Sequence, residues 1–206
     1  AFGRKALEEC DYLDAVVYSE GEYSTRDLME RVRDGKTPEG VAGTSVRFEG
    51  KIIDNPPRPF IEDLDELPFP AVDMAELERY KPSYGQSLRL PSFQVISSRG
   101  CMNDCLYCYR LMGRNVLRMR SPVNVVDEIE HYVKEYGAKD IKFWDESFTY
   151  DRDRAMGICD EIIRRGIKVS WWISARADSV DDQLLQKMKQ AGCWCINFGV
   201  ESGVQK

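Results

Sequence analysis

The sequence has no run of roughly 18 or more apolar residues, so no transmembrane helix is expected. Nothing at its start reads as a secretory signal. It also lacks an excess of basic charge: 29 Lys and Arg stand against 35 Asp and Glu, for a formal net charge of −6. That balance argues against a protein held to nucleic acid by tracking phosphates. Arg110, Arg114, Arg118 and Arg120 form only a short basic stretch, expected to be solvated loop charges. Internal repeats and low-complexity tracts are missing, and histidine occurs once, at position 131. A disulfide framework is argued against as well. The seven cysteines, at 10, 101, 105, 108, 159, 193 and 195, are an odd number in a chain without a secretory signature. Such thiols are expected to stay reduced, in a cytoplasmic setting, with some acting as metal ligands.

What is present fits a soluble globular protein: 43% hydrophobic and 31% charged residues in 206, enough for one domain or one and a half. The chain opens on Ala1 and stops at "GVESGVQK", just after a strand-like run, and reads as a fragment of a longer protein. Residues Asp14 to Glu20 ("DAVVYSE") predict a short buried strand. "STRDLMERVRDG" predicts a helix capped by Ser24 or Thr25, with Leu28, Met29 and Val32 as its apolar stripe and Gly35 ending it. "SVRFEGKIID" predicts a hairpin turning at Glu49-Gly50. Five of the nine prolines then fall between Pro56 and Pro70, where no helix or central strand can persist.

Beyond that seam the pattern alternates strand and helix. Phe93 to Ser98 ("FQVISS") predicts a first strand. Ser121-Pro122 opens a helix with proline at its first position, carrying Val126, Ile129 and Val133 inward and ending at Gly137. "DIKFW" is a second strand, followed by a helix over residues 151–165. "VSWWIS" is a third strand, leading to a helix capped by Ser179 that buries Leu184, Leu185 and Met188. "CINFGV" is a fourth. This alternation predicts an α/β fold with a parallel sheet, open or barrel.

In such folds ligands bind at the carboxyl ends of the strands. The first strand is followed by Cys101, Cys105 and Cys108 in "SSRGCMNDCLYCYR", the second by Asp145-Glu146, the third by Ser174 and Arg176, the fourth by Glu201-Ser202. Four polar or metal-binding endings at one rim predict a site. Three clustered cysteines leave zinc one ligand short, and His131, in mid-helix and off the buried stripe, is expected to be a surface residue. Cys10, Cys159, Cys193 and Cys195 read as small buried residues, the pair at 193 and 195 leaving a redox alternative. Trp171 and Trp172 read as packing residues. Thiolates suit iron-sulfur clusters, which ordinarily take four cysteines; with three, one iron keeps an open position.

Cys101-x3-Cys105-x2-Cys108, with Tyr107 before the last cysteine, resembles the signature of the radical S-adenosylmethionine (SAM) superfamily. The resemblance implies that the three thiolates hold a 4Fe-4S cluster and that the SAM amino and carboxylate groups chelate the fourth iron. It implies that Asp145-Glu146 stand where the family hydrogen-bonds the SAM ammonium, although the Gly-Gly preceding that glutamate in the family is missing here. By the same resemblance, Glu201-Ser202 contact the ribose or methionine part of SAM and Tyr107 lies near its adenine. Arg176 would pair with the SAM carboxylate, a salt bridge to Asp178 being the alternative. The N-terminal region, with Ser19-Glu20-Gly21-Glu22 where that group commonly has Gly-Glu-Gly-Glu, resembles the end of a cobalamin-binding Rossmann-like domain and its linker. No histidine precedes residue 131 to serve as a lower cobalt ligand.

The implied layout is the C-terminal portion of a cobalamin-binding-like α/β domain over residues 1–55 and a proline-rich linker over 56–90. The first four strands of a partial (β/α)6 radical SAM barrel then come over 91–206. The implied activity is reductive cleavage of SAM to a 5′-deoxyadenosyl radical that abstracts hydrogen from a small-molecule substrate, with cobalamin-dependent methyl transfer or cyclisation. A flavodoxin or ferredoxin would be the reductant. Two alternatives stay open: a tRNA methylthiotransferase of the same superfamily, and a non-catalytic iron-sulfur protein.

Overall fold

The computed structural model describes residues 2–82, 85–109 and 115–204, and the chain divides into two units, residues 1–62 and 63–206. The first unit opens with helix α1 (Phe2–Glu9), which the sequence pattern does not announce. Strand β1 (Ala15–Val17), helix α2 (Glu22–Arg33) and strands β2 (Thr44–Phe48) and β3 (Lys51–Asp54) come next. The strands form an antiparallel sheet in the order β1-β2-β3. Glu49 and Gly50 join β2 to β3 with φ of 47° and 73°, both left-handed, as a two-residue hairpin turn with the native strand twist requires. Expectation and structure agree there.

They part at α2. Neither Ser24 nor Thr25 caps it; Gly21 stands at the N-cap without a side-chain bond. Ser24 is instead buried inside the helix, donating to the Ala42 carbonyl at 2.9 Å and accepting from Arg58 Nε at 3.0 Å. Leu28, one turn on, is buried, whereas Met29 and Val32 are 57% and 58% exposed. The reason is the size of the core beneath: Leu28, Val41 and Val46, with Ala15 and Ile53 against them, cover one turn of the helix only.

From Pro56 to Pro91 the described residues form no α-helix or strand, only three 3-10 turns at Leu64–Glu66, Val72–Met74 and Leu77–Arg79, as the proline density requires. The second unit then runs β4 (Ser92–Val95), β5 (Ser98–Cys101), β6 (Val116–Met119), α3 (Pro122–Tyr136), β7 (Asp140–Phe143), α4 (Arg152–Arg164), β8 (Ser170–Ala175), α5 (Asp182–Gln190) and β9 (Cys193–Phe198). Strands β4-β7-β8-β9 form a parallel sheet in that order, without reversal. Phe93, Val95, Ile141, Phe143, Trp171 and Ile173 share one core with Val126 and Ile129 of α3, Ile158 of α4 and Leu184 of α5. Successive strand residues point to opposite faces, so all three helices cover the same face. The opposite face carries Gln94, Lys142, Trp172 and Cys195 side by side in register.

Capping obeys local chemistry. Ser121 Oγ accepts from Asn124 N at 3.1 Å with Pro122 in the first turn, and Gly137 ends α3 in the left-handed conformation. Asp151 caps α4 by accepting from Arg154 N at 2.9 Å. Asp181, not Ser179, caps α5 by accepting from Leu184 N at 2.9 Å. Ser179 lies in a 3-10 turn, its hydroxyl bonded to Thr149 Oγ1 at 2.6 Å and to the Arg176 carbonyl at 2.8 Å. Leu184 and Met188 are buried as expected, Leu185 only in part.

The expected strand over 93–98 is broken. β4 ends at Val95, and after Ile96 the chain leaves the parallel sheet to form β5, which pairs antiparallel with β6. The sequence pattern does not announce β6 ("VLRM"), and two of the four arginines expected as solvated loop charges belong to it or come directly after it. Arg118 lies within β6, and the Arg120 side chain is 11% exposed. Arg120 donates to Asn124 Oδ1 at 2.6 Å and to the Ile96 carbonyl at 3.1 Å, and pairs with buried Glu128. Arg110 and Arg114 lie outside the described residues.

Candidate functional site

The cysteine loop hangs on the β5-β6 hairpin. Cys101 is the last residue of β5, opposite Val116 in the register, and Cys105 and Cys108 lie in the connection. Gly100, just before the first cysteine, has φ of +91°, and a Cβ on it would stand 2.0 Å from the Val116 carbonyl oxygen. Only glycine lets the two strands close at this point. Gly100→Ala is therefore expected to cost about 2–4 kcal/mol of unfolding free energy, read as a lowered denaturation midpoint. An unchanged midpoint would show that the hairpin tolerates the side chain. Asn103 fastens the first turn of the loop, donating from its backbone N and Nδ2 to Cys101 Sγ at 3.4 and 3.3 Å.

The point where the chain leaves β4 is tied down from below. Asp145, 4% exposed, accepts from Ser97 N at 2.7 Å and from Ser98 N at 3.1 Å, and its other oxygen meets the Ser97 hydroxyl. Arg154, itself buried, donates to the Ser97 carbonyl at 2.6 Å and to the Arg120 carbonyl at 2.8 Å. Burial pushes the Asp145 carboxyl above its ordinary value, while the Ser97 and Ser98 bonds and the Arg154 charge pull it back.

The ends of β8 and β9, Glu146 beyond β7, and the end of β5 with its cysteine loop line a cavity of about 540 Å³, to which β4 contributes no residue. Cys101, Cys105, Cys108, Tyr107, Glu146, Arg176 and Glu201 all line it. Asp145 and Ser202, also expected there, are not among the lining residues. Adjacent residues leaving a strand point in different directions, and Asp145 turns under the loop while Glu146 faces the cavity. Ser202 closes a local turn instead, its N–H donating to the Val200 carbonyl at 2.6 Å and its Oγ accepting from Val204 N at 3.1 Å. Desolvation at the cavity wall raises the Glu146 carboxyl, and the neighbouring Asp145 adds to it. The Arg176 guanidinium forks onto Asp178 at 2.9 and 2.6 Å, the alternative left open by the sequence. The nearby Glu201 carboxylate raises the Tyr107 phenol pKa.

The remaining expectations divide. Trp171 is fully buried and donates to the Ala191 carbonyl at 2.9 Å; Trp172 is nearly so and donates to the Gln86 carbonyl at 3.1 Å. His131 is half-buried rather than a surface residue, because the rings of Phe69, Tyr132 and Tyr136 crowd it at 5.6–6.3 Å. Cys159 is buried and Cys10, Cys193 and Cys195 are partly so. Burial pushes the Cys159 and Cys193 thiols up to about 12, which keeps them protonated and unreactive. Asn103, Ser174 and Asn197 also line the cavity. Ser174 is where the strand pattern puts it, and Asn197 pairs with it in register, so strand alternation was the signal that could have found Asn197.

The donor chemistry can be set against the expected group. Among the described residues, no three His, Cys, Asp or Glu side chains close on a single metal position. One zinc ion would need its thiolates at about 2.3 Å from a common centre. Three thiols spaced around one cavity suit a cluster that takes one thiolate per iron. Arg176 lines the same cavity as the three thiols.

A profile of the Radical SAM superfamily matches residues 95–206, more than half of the chain. The chain belongs to the radical SAM superfamily. Membership implies an enzyme that uses a 4Fe-4S cluster and SAM. Over 197 residues, 95% of this chain and 42% of the relative, it is 34% identical to an uncharacterized methyltransferase of Pyrococcus horikoshii. It is 30% identical over 210 residues, 98% of this chain and 37% of the relative, to the anaerobic magnesium-protoporphyrin IX monomethyl ester cyclase of Rubrivivax gelatinosus. Among solved structures, the cobalamin-dependent S-adenosylmethionine radical enzyme OxsB, with aqua-cobalamin and S-adenosylmethionine bound, matches at a TM-score of 0.72. The match covers 97% of this chain and 29% of that one at 24% identity, a likeness of α/β fold. The chain thus spans less than half the length of these relatives. Among the described residues no helix is long and apolar enough to cross a membrane.

Proposed function

We propose that the protein is a cobalamin-type radical SAM enzyme in which Cys101, Cys105 and Cys108 hold a 4Fe-4S cluster and leave its fourth iron to SAM. The observation that carries this is the lining of one strand-end cavity by three thiols together with Glu146, Arg176 and Glu201. When bound, the cluster and SAM supply one-electron cleavage of the sulfonium to a 5′-deoxyadenosyl radical that takes hydrogen from a small-molecule substrate. Glu146 would accept from the SAM ammonium, the carboxylate role for which Asp145 is turned the wrong way. Arg176 would share its guanidinium between Asp178 and the SAM carboxylate. Tyr107 and Glu201, which line the same cavity, would frame the adenosyl end, and Ser202 would join them only if its turn opened. A soluble flavodoxin or ferredoxin in the cytoplasm would supply the electron.

The sequential strand order with helices on one face supports reading residues 91–206 as the start of a partial (β/α)6 barrel, since a doubly wound sheet reverses its order. We read residues 1–55 as the C-terminal portion of a Rossmann-like cobalamin-binding domain and 56–90 as the linker. Ser19 supports this: it takes φ of +66°, a glycine-like conformation, where the cobalamin-binding group commonly has glycine. Residues 1–62 contain no histidine. Methyl transfer and cyclisation suit the site equally, matching the names of its two relatives.

Electron paramagnetic resonance of the anaerobically reconstituted, reduced full-length protein tests the reading. SAM is expected to change the cluster signal, with about tenfold more SAM needed in Glu146→Gln. A signal indifferent to SAM would leave an electron carrier instead. A corrinoid absorption band in the same preparation checks the cobalamin assignment.

A further inference from the structure

The face of the parallel sheet opposite the helices carries a lysine with no acidic partner among the described residues. Lys142 is 7% exposed, and its Nζ lies 3.5 Å from the centroid of the Trp144 ring and 4.2 Å from that of Trp172. No carboxylate pairs with it among the described residues. The two indole faces replace part of its hydration, since an aromatic ring attracts a cation through its negative face. They do so incompletely, and burial lowers the lysine pKa. Its in-register neighbours are Gln94, Trp172 and Cys195, none of them acidic. Buried lysines are rare without a counter-charge, and a purely structural role in this row would be served by methionine or leucine at less cost.

The position points to use. Trp144 comes directly after β7 and precedes Asp145-Glu146, and Ser174, two residues beyond Trp172 on β8, lines the cysteine cavity. With a strand rise of about 3.3 Å per residue, Lys142 lies one side-chain row below that cavity on the same face. We infer that Lys142, between Trp144 and Trp172, receives an anionic oxygen group of the small-molecule substrate, a carboxylate or a phosphate, and so helps to select and orient that substrate beneath the cysteine cavity. The anion would supply the counter-charge the row lacks, and the two indoles would offer apolar walls to the adjoining part of the molecule. That the anion belongs to a substrate rests on the proposed function; the anion site itself does not.

The test uses the full-length protein, both iron-free and reconstituted, titrated separately with inorganic phosphate and with acetate at constant ionic strength while tryptophan fluorescence is followed. Trp144→Phe identifies the part of the signal that arises beside Lys142. A saturable change is expected with one of the two anions, retained in Lys142→Arg and weakened about tenfold or more in Lys142→Met, where the charge is lost but the stem still fills the gap. The preferred anion names the group. Equal responses in the parent protein and Lys142→Met, or no saturable response to either anion, would overturn the proposal and leave Lys142 a packing residue. If Lys142→Met does not fold, Lys142→Gln takes its place under the same criterion. A protein that binds the anion yet assembles no cluster would sink the enzyme reading and leave the anion site standing.

Discussion

Cys105→Ala is expected to remove the cluster and, with it, reductive SAM cleavage, while the iron-free protein keeps its stability. Cys105 lies in the connection between β5 and β6, outside both strands. Each thiolate serves one iron, and among the described residues no fourth cysteine lines the cavity. Glu146 and Glu201 face the same space, but carboxylates are hard donors poorly suited to a cluster. Cys193 and Cys195 belong to the opposite, leading end of β9, whereas the cavity is reached by its trailing residues Asn197 and Phe198. Cys195 Sγ lies 3.8 Å from Asn197 Oδ1, beneath the cavity, and neither Cys193 nor Cys195 lines the cavity itself. Iron should therefore fall from about four per chain to a small fraction of that, and SAM cleavage by about a thousandfold or more. Cys195→Ala should retain both. Colorimetric iron and sulfide counts on the reconstituted full-length protein, with chromatographic detection of 5′-deoxyadenosine, decide it. Full cleavage by Cys105→Ala would remove the basis of the proposed function.

The sheet was legible because its strands announce themselves by local composition. "DIKFW" and "VSWWIS" are short apolar runs between helices whose ends carry Gly137 and Gly166, and the structure places strands there. The rim was legible for the same reason: once the strands are parallel, the residues just past each one gather on the same edge. The features that escaped depend on partners far away in sequence. The break after Val95 is enforced by Asp145, 48 residues beyond Ser97, and nothing in "FQVISS" hints at it. β6 exists because β5 has left the sheet and needs a partner. Which of Asp145 and Glu146 faces the cavity is a matter of a single backbone step, invisible to a motif that treats them as a pair. Lys142 escaped notice because a lysine in a strand ordinarily points to water, and only the tertiary fold brings Trp144 and Trp172 over its ammonium. The short core beneath α2 could not be foreseen either, since helical periodicity says which residues share a face but not how far the covering sheet extends.

Asp145→Ala is expected to destabilise the iron-free protein by about 3–5 kcal/mol, the range for removing one partner of a buried charged network. Two backbone N–H groups, of Ser97 and Ser98, lose their acceptor inside the protein. Each orphaned donor costs about 1–3 kcal/mol, and the Arg154 guanidinium, held against the Ser97 and Arg120 carbonyls, loses the nearby negative charge. Asp145→Asn should cost less, because an amide oxygen can still accept from the backbone, although its NH2 end now confronts either the Ser97 hydroxyl or the Arg154 side. Against a total stability on the order of 5–15 kcal/mol, the alanine variant should show a clearly lowered denaturation midpoint without any cluster or SAM present. A residue whose role was to bind SAM would behave in the opposite way, leaving the iron-free protein intact and weakening only the SAM response of the reduced cluster. Equilibrium denaturation of the iron-free full-length protein therefore separates the two roles of the adjacent carboxylates: Asp145→Ala should shift the midpoint, and Glu146→Gln should not. If the pattern is reversed, Asp145 is the SAM contact after all and the hydrogen bonds beneath the loop are incidental. If it holds, the carboxylate that looks interchangeable with its neighbour acts one layer down, by fixing the turn from which all three cysteines are suspended.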